Sequence, residues 1–152
     1  MEERATWPSG WQRRTADARG AFEIRLDGGL LRVTPPRPDG EPVLLASAAR
    51  MRRRALFVLR HLASAVAAGE VPKTVERAGE RLQSLRARDA DGEFLLLLGG
   101  VSGGLRGIED GDDAILFQAN AAFGAWFYPA VQSVQRKGSL LEVLRVTRVE
   151  PD

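Results

Sequence analysis

Asn120-Ala-Ala-Phe-Gly-Ala-Trp-Phe-Tyr-Pro129-Ala-Val-Gln-Ser-Val-Gln135 is the stretch on which the fold turns. Asn120 can cap a helix running towards Gln135, with Pro129 kinking or dividing it and Gly138 ending it. The alternative is that residues 119–137 form strands, with a hairpin turn at Lys137-Gly138. The first reading gives an α+β domain with a second helix. The second gives a largely β domain built around one long helix.

Its neighbours point to sheet. Residues 114–118 and 94–98 are short apolar runs, and residues 140–149 close the chain as a strand with apolar residues on both faces. The two middle runs are separated by turn chemistry, Gly99-Gly-Val-Ser-Gly-Gly104 and Glu109-Asp-Gly-Asp-Asp113. Upstream, Phe22-Glu-Ile-Arg-Leu26 and Leu30-Leu-Arg-Val-Thr34 flank Asp27-Gly28-Gly29, the pattern of a hairpin. Pro35, Pro36 and Pro38 mark a loop. Residues 74–86 read as a short helix, or as a strand beginning near Leu82.

Between these halves, residues 43–68 read as one helix, with Pro42 near its first turn and Gly69 as its stop. Leu44, Ala48, Met51, Ala55, Val58, Leu62 and Val66 recur at spacings of three and four, a core-facing stripe. The expected architecture is α+β: a mostly antiparallel sheet covered by one long amphipathic helix, with a second C-terminal-half helix or a hairpin. Residues 1–20 lack an apolar period and read as an extended or flexible N-terminal arm, with residues 21–152 as a single domain.

Composition narrows the chemistry. The chain has 152 residues, 22 Lys+Arg, 20 Asp+Glu, one His and no Cys. Without cysteine there is neither a disulfide framework nor a thiolate metal site, and one imidazole excludes a multi-histidine site. No apolar run approaches the length of a membrane span, and the N-terminal residues lack the apolar core of a secretory signal. A cytoplasmic protein is the expectation. All basic residues but Lys73 and Lys137 are Arg, as in GC-rich bacterial coding. The scarcity of Asn, Met and Cys also fits a thermophile.

Candidate chemistry concentrates on the polar face of the long helix. At 100° per residue, Arg50, Arg53, Arg54, Phe57, Arg60, His61 and Ser64 share a sector opposite the apolar stripe. Guanidiniums fork onto phosphate oxygens, and an aromatic ring among them offers a stacking platform for a base. The arm adds Trp7, Trp11, Arg13 and Arg14, basic and aromatic residues interleaved as single-stranded nucleic acid requires, although a tryptophan also has much apolar area with which to anchor the arm. The glycine-rich segment matches no phosphate-loop pattern. The carboxylates Glu109, Asp110, Asp112 and Asp113 could hold a hard cation but lack the calcium-loop spacing. His61 has no carboxylate at i±3 or i±4 to orient it, and Ser102 and Ser139 lack a nucleophile's context.

These residues point to a non-enzymatic nucleic-acid-binding protein, oligomeric because a net charge of +2 is small unless copies repeat the basic face. Single strands are favoured, and no cofactor, metal or membrane partner is called for. An oligomeric structural or interaction module is the alternative, with Phe57, the final strand and Trp126-Phe127-Tyr128 as its interface. A metal-dependent enzyme using the acidic cluster is third, since no acid–base pair presents itself.

Overall fold

The computed structural model describes residues 1–6, 10–27, 30–36, 41–101 and 103–149. Among the described residues there are eleven strands and one helix. Strands β1 (Glu2–Thr6), β2 (Gly10–Asp17), β3 (Gly20–Asp27) and β4 (Leu30–Thr34) precede helix α1 (Glu41–Ala65). Strands β5 (Lys73–Arg77), β6 (Glu80–Asp89), β7 (Gly92–Gly99), β8 (Leu105–Asp110), β9 (Asp113–Phe123), β10 (Trp126–Arg136) and β11 (Ser139–Arg145) follow it. Each group is an antiparallel meander, so there are two sheets, of four and seven strands, in sequence order.

The stretch that decides the fold is strand. Phe123 pairs with Trp126 across a two-residue turn in which Gly124 has φ 62°, a conformation glycine adopts without steric cost. Pro129 lies beyond Val131, the last residue of β10 in register with β11, where a missing N–H removes no bond of that ladder. The second C-terminal-half helix is therefore absent, and the hairpin at Lys137-Gly138 is present between β10 and β11. Residues 74–86 likewise hold a hairpin rather than a helix. Ala78 and Gly79 both have positive φ, the signature of a tight hairpin turn, and Arg77 pairs with Glu80 across them.

Residues 2–6 and 10–17 are strands of the first sheet, not a free arm. The reason is visible in their side chains. Trp11 is 3% exposed and packs with Ile24, Leu26 and Ala49, burying an aromatic surface too large to leave in water.

Helix α1 packs against both sheets. Ala48, Met51, Ala55 and Val58 enter the core of the seven-stranded sheet with Leu96, Ile108, Ile115 and Val134. Ala49 and Leu56 enter the smaller core of the four-stranded sheet. Leu62, expected in the apolar stripe, is 41% exposed. It follows His61, whose φ of −130° and ψ of 35° interrupt the helix, and Ala65 rather than Leu62 reaches the core beyond that break.

Candidate functional site: an arginine-lined cavity

Packing against the seven-stranded sheet changes the meaning of the arginine face. Arg53 and Arg54 are 5% and 1% exposed, and Phe57 lies in the core of the seven-stranded sheet. The expected solvent-facing row of Arg50, Arg53, Arg54, Phe57, Arg60 and His61 is thus broken. Only Arg50, Arg60 and His61 of that set are exposed. Arg54 donates through Nε to Asp89 at 2.9 Å, pairs with Asp110, and lies 4.8 Å from the Phe94 ring. Arg53 pairs with Asp91 in the β6–β7 turn. A buried guanidinium needs such partners, because desolvating an unpaired charge costs several kcal/mol. His61 stacks obliquely on Phe57, with ring centroids 5.5 Å apart.

The N-terminal candidates divide the same way. Arg13 is buried and Arg14 is exposed but paired with Glu23 at 3.0 Å. Trp11 is buried, and Trp7 lies outside the described residues.

Arg13 belongs to a chain of charges joining the sheets through the helix. It donates to Glu142 of β11 at 2.5 and 2.8 Å and to Glu3 of β1 at 2.9 Å. Glu3 also accepts from Arg52 Nε at 3.1 Å and Nη2 at 2.5 Å. Arg52 continues to the Gln132 side-chain oxygen, and Gln132 donates onward to the Pro129 carbonyl at 3.2 Å. Burial alone would raise the Glu3 carboxyl, but Arg52 and Arg13 together hold it below its ordinary value.

Beside this chain opens a cavity of about 220 Å³. Met1, Glu3, Arg52, Leu56, Arg60, Tyr128, Leu144 and the run 145–149 line it. Helix α1 supplies Arg52 and Arg60, the C-terminal end of β11 supplies Leu144 and Arg145, and the segment after it supplies Arg148. Among the described residues its wall carries four guanidiniums and one carboxylate, and that carboxylate is already shared between Arg13 and Arg52. Burial raises the Tyr128 phenol above its ordinary value, although Arg52 and Gln132 pull it down, so its hydroxyl stays protonated and able to donate. The cavity pairs cationic donors with an apolar wall of Leu56, Leu144 and Val146, which suits a small anion carrying a flat or aliphatic part.

The remaining sequence candidates are occupied elsewhere. Glu109 pairs with Arg77, Asp110 with Arg54, Asp112 with Lys137 and Asp113 with Arg136. Among the described residues no group of three carboxylates or imidazoles converges as metal ligands would. The glycine-rich segment closes the β7–β8 connection, with Gly103 N–H on the Gly99 carbonyl at 2.9 Å and Gly99 N–H on the Gly104 carbonyl at 2.8 Å. Ser102 lies outside the described residues. The cavity residues Arg145, Arg148 and Tyr128 carry no motif, because they converge only through the β10–β11 register and its continuation. The signal within reach was Arg60, one helical turn from the core and close to the helix end. Neither a family of known proteins, nor a curated protein, nor a solved structure matches this chain.

Proposed function

We propose that the protein is a non-enzymatic binding protein for a phosphate-bearing ligand, seated in the cavity between Arg52, Arg60, Arg145 and Arg148. One observation carries the reading: among the described residues four guanidiniums line the cavity with one carboxylate, which two arginines already hold. A phosphate offers several oxygens to such a wall, and guanidinium forks match them. Tyr128 adds a neutral donor at the same wall. Pockets for drug-sized ligands usually hold roughly 300–1,000 Å³. A smaller cavity favours one nucleotide unit or its phosphate over a long stretch of strand.

Single-stranded nucleic acid is one source of that phosphate and a free mononucleotide is the other. A nucleic-acid ligand is consistent with a cytoplasmic protein, and an oligomer would set several cavities along one strand. Fluorescence anisotropy with an end-labelled single-stranded oligonucleotide separates the sources, using unlabelled mononucleotide and inorganic phosphate as competitors. Binding is expected to fall with salt, with a log–log slope of about −0.7 for each phosphate neutralised. Arg145→Glu with Arg148→Glu should abolish it, while Arg50→Glu, remote from the cavity, should leave it within about twofold of wild type. Displacement by mononucleotide alone identifies the free ligand as sufficient. Binding that survives the double variant, or no binding at low salt, overturns the proposal.

A further inference from the structure

The β9–β10 hairpin outgrows its neighbours. β8 is in register with β9 only as far as Leu116, and β11 with β10 only from Val131. Residues 118–128 therefore form an arm whose ladder is its own. From residue 114 to residue 135 the chain carries no Asp, Glu, Lys or Arg, although 28% of the whole chain is charged. Along the arm Ala119, Ala122 and Ala125 are exposed, and Phe127 is 74% exposed. Trp126 directly precedes Phe127 at the turn, and Phe123 is its partner in register.

Cations stand at the foot of this uncharged arm. Arg145 is opposite Val131, the Val146 N–H reaches the Ala130 carbonyl at 2.8 Å, and the chain runs on to Arg148 in the wall it shares with Tyr128 and Arg60. Tyr128 lies four residues from Gly124, a reach of about 13 Å at roughly 3.3 Å per residue. Interfacial elements enter the headgroup and acyl boundary by about 5–10 Å, aromatic rings settle at that depth, and arginines hold anionic headgroups above it.

We infer that this arm seats in the surface of an anionic lipid bilayer, with Phe127 and its neighbours among the acyl chains and Arg60, Arg145 and Arg148 on headgroup phosphates. The electrostatic half of this inference rests on the phosphate reading of the cavity, whereas the apolar half does not. A second copy of the chain fits less well, because its arm would bring no acidic group to meet the arginines. No helix among the described residues is long and apolar enough to cross a membrane, so the contact is peripheral.

The test is flotation of the full chain with vesicles of phosphatidylcholine and phosphatidylglycerol in a two-to-one mixture, and with phosphatidylcholine alone. The chain should float with the anionic vesicles only. Phe127→Asp, at an exposed position, should weaken that partitioning at least about tenfold, while retaining mononucleotide binding as proof of folding. Arg145→Glu with Arg148→Glu should lose both. If mononucleotide binding is missing in wild type while Phe127-dependent flotation persists, the cavity reading fails and the arm stands. Absence of flotation, flotation indifferent to Phe127→Asp, or a Phe127-dependent dimer in place of flotation would each overturn the inference.

Discussion

Glu3 concentrates the electrostatics of the molecule in one side chain. It is nearly buried, and it receives two guanidiniums, Arg13 from the sheet that contains it and Arg52 from the helix. Its folded carboxyl lies below its ordinary value of 4.5. A depressed carboxylate stabilises the fold above its unfolded value, and that contribution is lost as pH falls through the folded value. Glu3→Gln should therefore cost on the order of 3 kcal/mol at neutral pH, since it leaves two buried cations short of a counter-charge. The gap between wild type and variant, measured as urea unfolding midpoints across pH, should close below about pH 4.5. A gap that stays constant with pH would mean that the carboxylate charge is not what Glu3 contributes. Arg54 is likewise buried and paired, with Asp89 and Asp110 of the seven-stranded sheet as its partners.

Among the elements, the tight hairpins do most to set the topology, and they also mark where the sequence was readable. Residues 22–26 and 30–34 were legible because strict alternation flanks Asp-Gly. The β5–β6 turn was not, because Ala78-Gly79 lacks the Asn or Asp that usually announces it. β10 was ambiguous because alanines and glutamines suit either structure, and only its pairing with β9 and β11 decides between them. The helix itself was legible and so was its stripe of Ala48, Met51, Ala55 and Val58. Its opposite face was misread for a physical reason. The residues that cover it, Asp89, Asp91, Phe94 and Asp110, come from β6 to β8, and a face that closes onto a distant segment looks like a solvated one. Packing between strands is tight enough to test at Gly107 of β8, where a Cβ would lie 2.6 Å from the Ile115 carbonyl oxygen and 3.0 Å from Leu116 Cδ2. Gly107→Ala should destabilise by about 1–3 kcal/mol, because backbone must shift to admit the methyl group. An unchanged melting temperature would mean that β8 and β9 are further apart than this register places them.

At the scale of the whole molecule, charge is distributed in two tiers. Arg13, Arg52, Arg53 and Arg54 are spent inside, tying the four-stranded sheet to the helix and the helix to the seven-stranded sheet. Arg60, Arg145 and Arg148 gather at the cavity, near the foot of an uncharged arm. The modest net charge of +2 is compatible with anion binding because the inner arginines are paired with carboxylates while Arg60, Arg145 and Arg148 stand together at one cavity. Selective modification of arginine with phenylglyoxal, read residue by residue by mass spectrometry with and without mononucleotide, tests this division most directly. Arg50, Arg60 and Arg145 should react readily in the free protein while Arg13, Arg52, Arg53 and Arg54 are spared. Added mononucleotide should protect Arg60, Arg145 and Arg148 but not Arg50. Ready modification of Arg53 and Arg54, with ligand protecting them together with Arg50, would contradict the account and restore the helix face as the binding surface.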